Sequence, residues 1–430
     1  MMKKLFVFAL LCLCAVATWA QPVPGKIPEK PVFIVGATLH LGNGEVIDGG
    51  VIGLAMGKIT YVGTGAEIRI DGANSIIIDA AGKHVYPGFI APNSILGLSE
   101  VEAVRATLDY RESGELNPNV RALVAYNTDS KVIPTVRSNG ILLTQLAPQG
   151  GVISGRSSVV QLDAWNWEDA AVSADEGLYV NWPSMRVVDA WWAPSAEEQE
   201  KRTGEQLKAI ENFFGEAKAY FEQAKPTLNL KLEALRAVFE GKSRVYVRVS
   251  QAKGMVSAVN FFKQYNIKPV LVGAEEAGFI TDFLKAEGIS LLLEQTHRLP
   301  ARAGEAIDAP YTLPATLWSA GIPFGLMVDG FWQIRNLPFH AGTLAGYGLS
   351  QAQALQTITL NTARIMGIDK NYGSLEAGKS ATLFISAGDA LDMRTCVLEA
   401  AFIDGRKVDL NNSQKDLYKR FSDKYEAERP

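Results

Sequence analysis

The chain has 430 residues, of which 47% are hydrophobic and 20% are charged. This composition excludes an intrinsically disordered protein, because the apolar residues are numerous enough to form large cores. The 42 lysines and arginines nearly balance the 46 aspartates and glutamates, so the formal net charge is −4. The chain has no basic run, and we therefore expect no nucleic-acid partner.

The first twenty residues have the pattern of a secretory signal peptide. Lys3 and Lys4 precede an apolar run from Leu5 to Ala17, and Thr18-Trp19-Ala20 follows. A run of this length is too short for a permanent membrane anchor. We therefore predict a signal peptide over residues 1–20, a mature chain that begins near Gln21, and a secreted, periplasmic location. No membrane span is expected after the signal is removed.

The next segment, residues 21–84, is predicted to form short strands separated by turns. Apolar or alternating runs such as Val51–Leu54 and Lys58–Val62 are separated by glycine-rich turn sequences such as Asp48–Gly50. This pattern is typical of a small antiparallel sheet.

The middle of the chain, residues 85–368, alternates apolar strands with amphipathic helices. A helix is predicted from Ser195 to about Ala224, because Ser195 and Glu198 form a capping box before an apolar face. Residues 109–169 are rich in Gly, Asn and Ser and are predicted to be largely long loops. The alternation favours a (β/α)8 barrel or a doubly wound sheet. The predicted strands are Val85–Ile90, Ile141–Leu146, Val245–Val249, Lys268–Val272, Ser290–Glu294 and Pro323–Val328.

Residues 369–410 return to the pattern of short strands, and Asp404-Gly405 predicts a hairpin turn. Neither β-rich end has enough strands to cover an apolar face alone. We therefore predict one small β-sandwich domain built from both termini. Residues 411–430 are predicted to be a C-terminal helix or tail.

Three segments carry a resemblance to a known family. Gly82–Ile90 (GKHVYPGFI) is similar to the segment that leads into the first barrel strand of the amidohydrolase superfamily. Thr359–Gly367 with Gly373–Leu383 resembles its C-terminal signature, and Ala401–Arg406 resembles its closing hairpin. The imidazolonepropionase-like branch is the most similar. The resemblance implies an α/β fold, a (β/α)8 TIM-like barrel plus the small β domain.

The resemblance also implies a metal centre at the carboxyl ends of the barrel strands. In that family an Asp-x-His-x-His motif follows the first strand, further His follow the fifth and sixth strands, and an Asp follows the eighth. These residues hold zinc or a similar ion, which lowers the pKa of a bound water. The Asp then moves the proton of that water.

This sequence departs from that motif at almost every ligand position. Asn93 and Ile95 stand at the two His positions of the first strand, and Ser250 and Gly273 follow the fifth and sixth strands. Only Asp329 stands where the family has its carboxylate. We therefore expect no metal site and no cofactor. The alternative is a divalent metal such as zinc, held by atypical ligands.

The candidate site consists of polar residues that follow predicted strands or lie on the loops at that end of the barrel. Asp329 is the candidate catalytic residue, as the retained family carboxylate. The candidate substrate-binding residues are Asn93, Arg121, Gln145, Ser250, Glu275 and His297.

Two kinds of function stay open from the sequence. In the first, the protein is a secreted pseudoenzyme that binds a small molecule or pairs with an active relative, or with a second copy of itself. In the second, it is a hydrolase acting on carbon–nitrogen bonds other than peptide bonds, with Asn93, Glu275 or Glu276 as unusual ligands. Metal-independent acid–base hydrolysis by Asp329 with His297 is a third, weaker alternative.

Overall fold

The fold is described from a computed structural model, which describes residues 23–300, 302 and 304–427. The predicted signal peptide and the predicted start at Gln21 lie outside the described residues. The strands are β1 (Val32–His40), β2 (Val46–Ala55), β3 (Lys58–Thr64), β4 (Ile76–Asp79), β5 (His84–Pro87), β6 (Phe89–Ser94), β7 (Ile141–Leu146), β8 (Ile153–Gln161), β9 (Ala171–Asn181), β10 (Arg244–Val249), β11 (Val270–Gly273), β12 (Ser290–Leu293), β13 (Phe324–Leu326), β14 (Leu383–Ser386), β15 (Leu398–Ile403) and β16 (Arg406–Val408).

The α-helices lie mainly between the strands of the middle segment. They are α1 (Ile133–Arg137), α2 (Trp167–Ala170), α3 (Ala196–Glu222), α4 (Leu230–Glu233), α5 (Arg236–Phe239), α6 (Ala252–Lys263), α7 (Thr281–Glu287), α8 (Ala309–Ala320), α9 (Leu337–Ala345), α10 (Gln351–Gln356), α11 (Leu360–Met366) and α12 (Ser413–Ala427). Short 3-10 turns occur at Gly65–Glu67, Arg105–Thr107, Ala122–Ala125, Ala277–Ile280 and Gln333–Asn336. No helix of the described chain is long and apolar enough to cross a membrane.

Strands β6 to β13 form a nearly closed eight-stranded barrel. They follow one another in chain order across the sheet, and β13 approaches β6 at the seam. Helices α6, α7 and α8 connect the successive parallel strands from β10 to β13. The predicted α/β barrel is thus confirmed.

The third barrel strand, β8, runs antiparallel to its two neighbours. Strand β8 pairs antiparallel with both β7 and β9. Both β8 and β9 begin inside or just beyond the segment that the sequence predicted to be largely loop. The prediction failed because Gly155 and the serines of β8 have low β-propensity, while pairing on both edges fixes the strand. The backbone of Gly155 has φ +135°, which glycine adopts without strain.

The two ends of the chain form one further sheet, as predicted. Its strand order is β16-β15-β14-β5-β1-β2-β3, and β4 pairs with β1. N-terminal and C-terminal residues share one buried core, in which Ile34 and Leu39 lie with Leu383 and Phe402. The eight strands form a single hydrogen-bonded sheet where a sandwich was expected. Asp404 and Gly405 turn the β15–β16 hairpin with φ values of 48° and 74°.

The predicted strand Val85–Ile90 is divided at Gly88 between the two sheets. Strand β5 pairs with β14 in the terminal sheet, whereas β6 pairs with β7 in the barrel. A Cβ atom at Gly88 would lie 2.9 Å from side-chain atoms of both Leu142 and Thr382. The two sheets therefore adjoin closely at this glycine.

Helix α3 follows the predicted pattern. The side chain of Ser195 accepts a hydrogen bond from the backbone N–H of Glu198, and the Glu198 carboxylate accepts one from the backbone N–H of Ser195. This capping box satisfies two N–H groups that the first turn leaves without helical partners. One face of the helix is buried through Ile210, Phe214 and Ala217.

Candidate ligand-binding site at the carboxyl ends of the barrel strands

A cavity of about 610 Å³ opens at the carboxyl ends of the barrel strands. This is the end at which barrel enzymes bind their substrates. Its walls combine amides, charged groups and a few apolar side chains. The lining residues are Asn93, Gln149, Gly150, Asn181, Trp182, Pro183, Ser184, Arg248, Val249, Ser250, Gln251, Val272, Gly273, Glu294, Met327 and Asp329.

The guanidinium of Arg248 is held in this cavity by two amides. Its Nη2 and Nε donate to Oδ1 of Asn93 at 2.9 and 3.3 Å, and its Nη1 donates to Oδ1 of Asn181 at 3.3 Å. The guanidinium carbon also lies 4.3 Å from the ring centroid of Tyr179, a cation–π contact. These contacts fix a positive charge at the barrel mouth.

The sequence of β10 explains the position of Arg248. In Arg244–Val249 charged or aromatic residues alternate with valines, and the valines are buried. Because successive side chains of a strand point to opposite faces, Arg248 shares its face with Tyr246. Tyr246 packs against Tyr179 with a centroid distance of 4.9 Å. Arg248 is thus the last inward residue of the strand.

Asn93 has an unusual backbone conformation. Its φ is +52°, a left-handed region that few residues other than glycine and asparagine adopt. Its backbone N–H donates to Oε1 of Gln145 at 3.0 Å, and its Nδ2 donates to Sδ of Met327 at 3.4 Å. These two hydrogen bonds fix the backbone bend at Asn93 near the end of β6. In this position the amide oxygen of Asn93 faces Arg248.

A buried polar network lies beneath the cavity floor. Glu176 accepts hydrogen bonds from Gln145 Nε2 (2.6 Å), Ser157 Oγ (2.7 Å) and Tyr246 Oη (2.8 Å). Burial raises the pKa of Glu176, whereas these three donors act in the opposite direction. Tyr179 Oη donates to Gln145 Oε1 at 2.8 Å. The network joins four neighbouring strands and supports the Gln145 oxygen that holds Asn93.

Two carboxyl groups line the same cavity. Burial and the nearby charge of Asp329 raise the pKa of Glu294 from 4.5 to about 7. Asp329 itself is exposed. The pair thus combines a carboxyl that titrates near neutral pH with a second one close to it, an arrangement suited to moving a proton.

The structure brings three of the predicted site residues together and separates the others. Asn93, Ser250 and Asp329 line the cavity, and Gln145 lies one layer below it. The other three are not among the lining residues. Arg121 donates to Asp175 at 2.8 Å, and Glu275 lies 3.4 Å from Nη1 of Arg298.

His297 lies in the loop after β12 and contacts residues of helix α9. Its Nε2 lies 2.7 Å from Oγ1 of Thr343, and its ring lies 4.1 Å from that of His340. His340 in turn accepts from the backbone N–H of His297 at 3.2 Å. Burial lowers the pKa values of both imidazoles, that of His340 to about 4. The two histidines therefore hold the loop after β12 against helix α9.

The donor set at the strand ends does not fit a transition-metal centre. Among the described residues, no group of three or more His, Cys, Asp or Glu side chains is placed to hold a metal ion. The amide oxygens of Asn93 and Asn181 already accept from the guanidinium of Arg248. Zinc takes about four imidazole, thiolate or carboxylate ligands, and only Asp329 and Glu294 in the cavity are of that type.

Comparisons with known proteins agree with the fold. The sequence profile of the amidohydrolase family matches residues 278–412, a range that holds β12 to β16. An imidazolonepropionase of Flavobacterium psychrophilum is 29% identical over 112 residues, which are 24% of this chain and 27% of that relative. An amidohydrolase of Thermotoga maritima has a similar structure, with a TM-score of 0.75 at 21% identity over 88% of this chain and 99% of that one. The C-terminal part of the barrel and of the terminal sheet thus resembles the amidohydrolase family in sequence, and the fold of the chain is that of an amidohydrolase.

A second solved structure shares the fold at lower similarity. The ochratoxinase of A. niger has a TM-score of 0.51 at 13% identity, over 88% of this chain and 95% of that one. Likeness at these identities supports the shared fold.

Arg248 and Asn181 are the most important of the cavity residues that reasoning from the sequence missed. Arg248 lies within a predicted strand, and Asn181 ends a strand that was not predicted. The alternation of Arg244, Tyr246 and Arg248 with three valines was the available signal, since an inward arginine near a strand's carboxyl end faces the barrel mouth. The sequence offered no comparable signal for Asn181.

Proposed function

We propose that this protein is an exported, metal-independent member of the superfamily that binds a small molecule at the barrel mouth without hydrolysing it. The observation that carries the proposal is the position of Arg248. Its guanidinium engages the amide oxygens of Asn93 and Asn181, two groups at the strand ends. One of these groups, Asn93, stands where the family resemblance implies a histidine ligand, and here it is bound to a cationic side chain of the protein itself.

The chemistry of the cavity supports binding over metal-dependent hydrolysis. An arginine supplies positive charge and directed N–H donors, but it neither lowers the pKa of a bound water as zinc does nor exchanges ligands. Asn93 stands at a position where the family has an imidazole, and its oxygen faces Arg248. The site can therefore hold and orient a ligand, while the hydroxide nucleophile of the family has no source in these residues.

A second candidate function follows from Glu294. A carboxyl with a pKa of about 7 beside Asp329 is suited to acid–base hydrolysis of a carbon–nitrogen bond other than a peptide bond. In this alternative Asp329 activates a water and Glu294 protonates the leaving nitrogen. An atypical metal site at the same carboxylates is the other form of this alternative.

Metal analysis and turnover assays separate these functions. We expect the mature protein to retain only substoichiometric metal after dialysis and to leave cyclic amides and N-acyl amino acids intact, with or without added zinc. The Asp329→Asn variant should still bind the ligand and, like the unchanged protein, should show no turnover. Stoichiometric metal, or a turnover that Asp329→Asn abolishes, would contradict the binding function and favour the hydrolase.

The export and the partners belong to the same proposal. Sequencing the N-terminus of the protein recovered from the periplasmic fraction should give a start near Gln21. A cytoplasmic protein that retains residues 1–20 would contradict export. Association with a second copy or with an active relative is open, and sedimentation of the mature protein alone and mixed with such a relative tests it.

A further inference from the structure

Among the described residues, Arg248 forms no direct ion pair, although the charge of Asp329 in the same cavity acts on it from a longer distance. No Asp or Glu oxygen in the described part of the chain lies within 4.0 Å of its nitrogens. Its partners are the neutral side chains of Asn93, Asn181, Ser154 and Tyr179. By contrast, the buried Arg137 has Asp163 at 2.7 Å. Arg248 is half-buried, and charges withdrawn from water are normally paired directly, so the lack of a direct partner requires a reason.

The remaining hydrogen-bonding capacity of Arg248 is available to the cavity. A guanidinium has five N–H groups. Nε donates to Asn93, Nη1 donates to Asn181 and Ser154, and Nη2 donates once, to Asn93. One N–H of Nη2 therefore has no acceptor among the described residues. Arg248 lines the cavity, so an anion bound there would supply both the missing acceptor and a negative charge in direct contact with the guanidinium.

The other walls limit the charge that such an anion can carry. Asp329 and Glu294 line the same cavity, and their negative charges disfavour a dianion such as phosphate. Val249, Val272 and Met327 add an apolar wall. The cavity thus matches one anionic group attached to an uncharged, partly apolar body.

We propose that the barrel mouth binds a small monocarboxylate whose carboxylate pairs with Arg248 and whose uncharged body lies against Val249, Val272 and Met327. This proposal rests on the binding function described above and names its ligand class. Asn93 and Asn181 orient the guanidinium, so the fork of N–H groups is positioned before the ligand enters. Such preorganisation lowers the cost of binding.

Three pairs of matched compounds test the charge requirement on the unchanged mature protein. The probes are acetate, butyrate and benzoate, each compared with its neutral amide, and inorganic phosphate is the dianionic control. Binding is followed by the shift of the thermal unfolding midpoint and by calorimetric titration. We expect at least one carboxylate to bind ten times more tightly than its amide, and phosphate to bind more weakly than that carboxylate.

Variants of Arg248 test the assignment of the partner. Arg248→Gln should weaken carboxylate binding about tenfold or more and leave amide binding unchanged. Arg248→Lys keeps the charge and should retain part of the preference if Arg248→Gln is too unstable to study. The control is Arg394→Gln, which removes the same charge from an exposed arginine paired with Asp392. It should bind every probe as the unchanged protein does.

The outcomes decide between the alternatives. If every amide binds as tightly as its carboxylate, or if Arg248→Gln keeps the preference, the monocarboxylate proposal is wrong. If phosphate binds most tightly, the ligand is a polyanion and the proposal is likewise overturned. Metal content and turnover are separate measurements, so a metal-bearing hydrolase could be recognised even where the carboxylate preference held.

Discussion

Asn93 combines a local strain with a functional contact. A side chain larger than hydrogen at φ +52° is disfavoured by about 1 kcal/mol, and asparagine tolerates this region better than most residues. Gln145 Oε1 holds the backbone N–H, and Arg248 uses the amide oxygen. Strained residues of this kind concentrate at binding sites, where the surrounding structure keeps them in place.

Two substitutions separate the backbone role of Asn93 from its side-chain role. Both Asn93→Gly and Asn93→Ala remove the acceptor of Arg248, but only glycine adopts the bend without strain. We expect the alanine variant to be less stable than the glycine variant by about 1 kcal/mol in urea unfolding. Equal stabilities, or a more stable alanine variant, would show that the left-handed bend is absent in solution.

Glu294 makes the stability of the protein depend on pH. Its pKa is raised from 4.5 in the unfolded chain to about 7 in the folded one, so the folded state favours the protonated form. The stabilisation is complete below pH 4.5 and is lost as the pH rises to about 7. We expect the unfolding free energy of the unchanged protein, relative to Glu294→Gln, to fall by on the order of 2 kcal/mol between pH 4.5 and 7, a figure reduced for partial exposure.

Denaturant unfolding at a series of pH values measures this dependence. Glu216→Gln, on the exposed face of α3, serves as the control and should follow the unchanged protein across the range. If Glu294→Gln also runs parallel to the unchanged protein, the carboxyl is not desolvated in solution.

At the scale of single elements, β9 packs so closely against its neighbour β10 that one position of β9 accommodates only glycine. A Cβ atom at Gly177 would lie 2.2 Å from Cε2 of Tyr246, a fully buried ring whose hydroxyl is bound to Glu176. The ring cannot withdraw without breaking that bond. Gly177 is therefore required for β9 and β10 to pair at this register.

A matched pair of glycine substitutions tests this packing. We expect Gly177→Ala to destabilise the protein by about 3 kcal/mol, because the added methyl overpacks a closed core. Gly204→Ala, in helix α3, meets nothing within 4 Å and should stabilise the protein by about 0.5–1 kcal/mol. Chemical denaturation measures both, and a Gly177→Ala variant as stable as the unchanged protein would contradict the packing described for β9.

The elements differ in how well the sequence predicts them. Helix α3 carries its own capping box and apolar face, and the Asp404-Gly405 turn encodes its hairpin, so both follow from local residues. Strand β8 forms instead because it pairs with β7 and β9, and its own three serines and one glycine do not predict a strand. Arg248 was overlooked for a similar reason, because its importance comes from residues on other strands.

At the scale of the whole molecule, the terminal sheet joins the two ends of the chain around the barrel. Strand β5 lies between β1 and β14, and the shared core mixes residues from both ends. The C-terminal strands also hold the barrel, since Arg406 Nη2 donates to the backbone oxygen of Asp163 at 2.9 Å. The sequence predicted the barrel and the β-rich ends. It did not predict which strands of the two ends pair, and this pairing is what makes each end depend on the other.

Truncation tests the dependence of the N-terminal strands on the C-terminal ones. A chain ending at Gly373 lacks β14 to β16, and we expect residues 32–79 to lose their protection from hydrogen exchange and proteolysis. A chain ending at Asn412 lacks only α12, whose described side chains are exposed or nearly so, and should keep that protection. Cooperative unfolding of the Gly373 truncation, unchanged from that of the full chain, would contradict the shared sheet.

The pairing of Pro87 with Leu383 has a consequence for how the protein is made. The strands β1 to β5 leave the ribosome early, but β14, which pairs with the open edge of β5, is made only near the end of the chain. During that interval their apolar faces and open edges are exposed to other molecules. Contacts between residues this far apart along the chain also form slowly. We therefore expect that a substitution which delays closure of the barrel reduces the yield of soluble protein in cells, through aggregation of the early strands, before it alters the finished molecule.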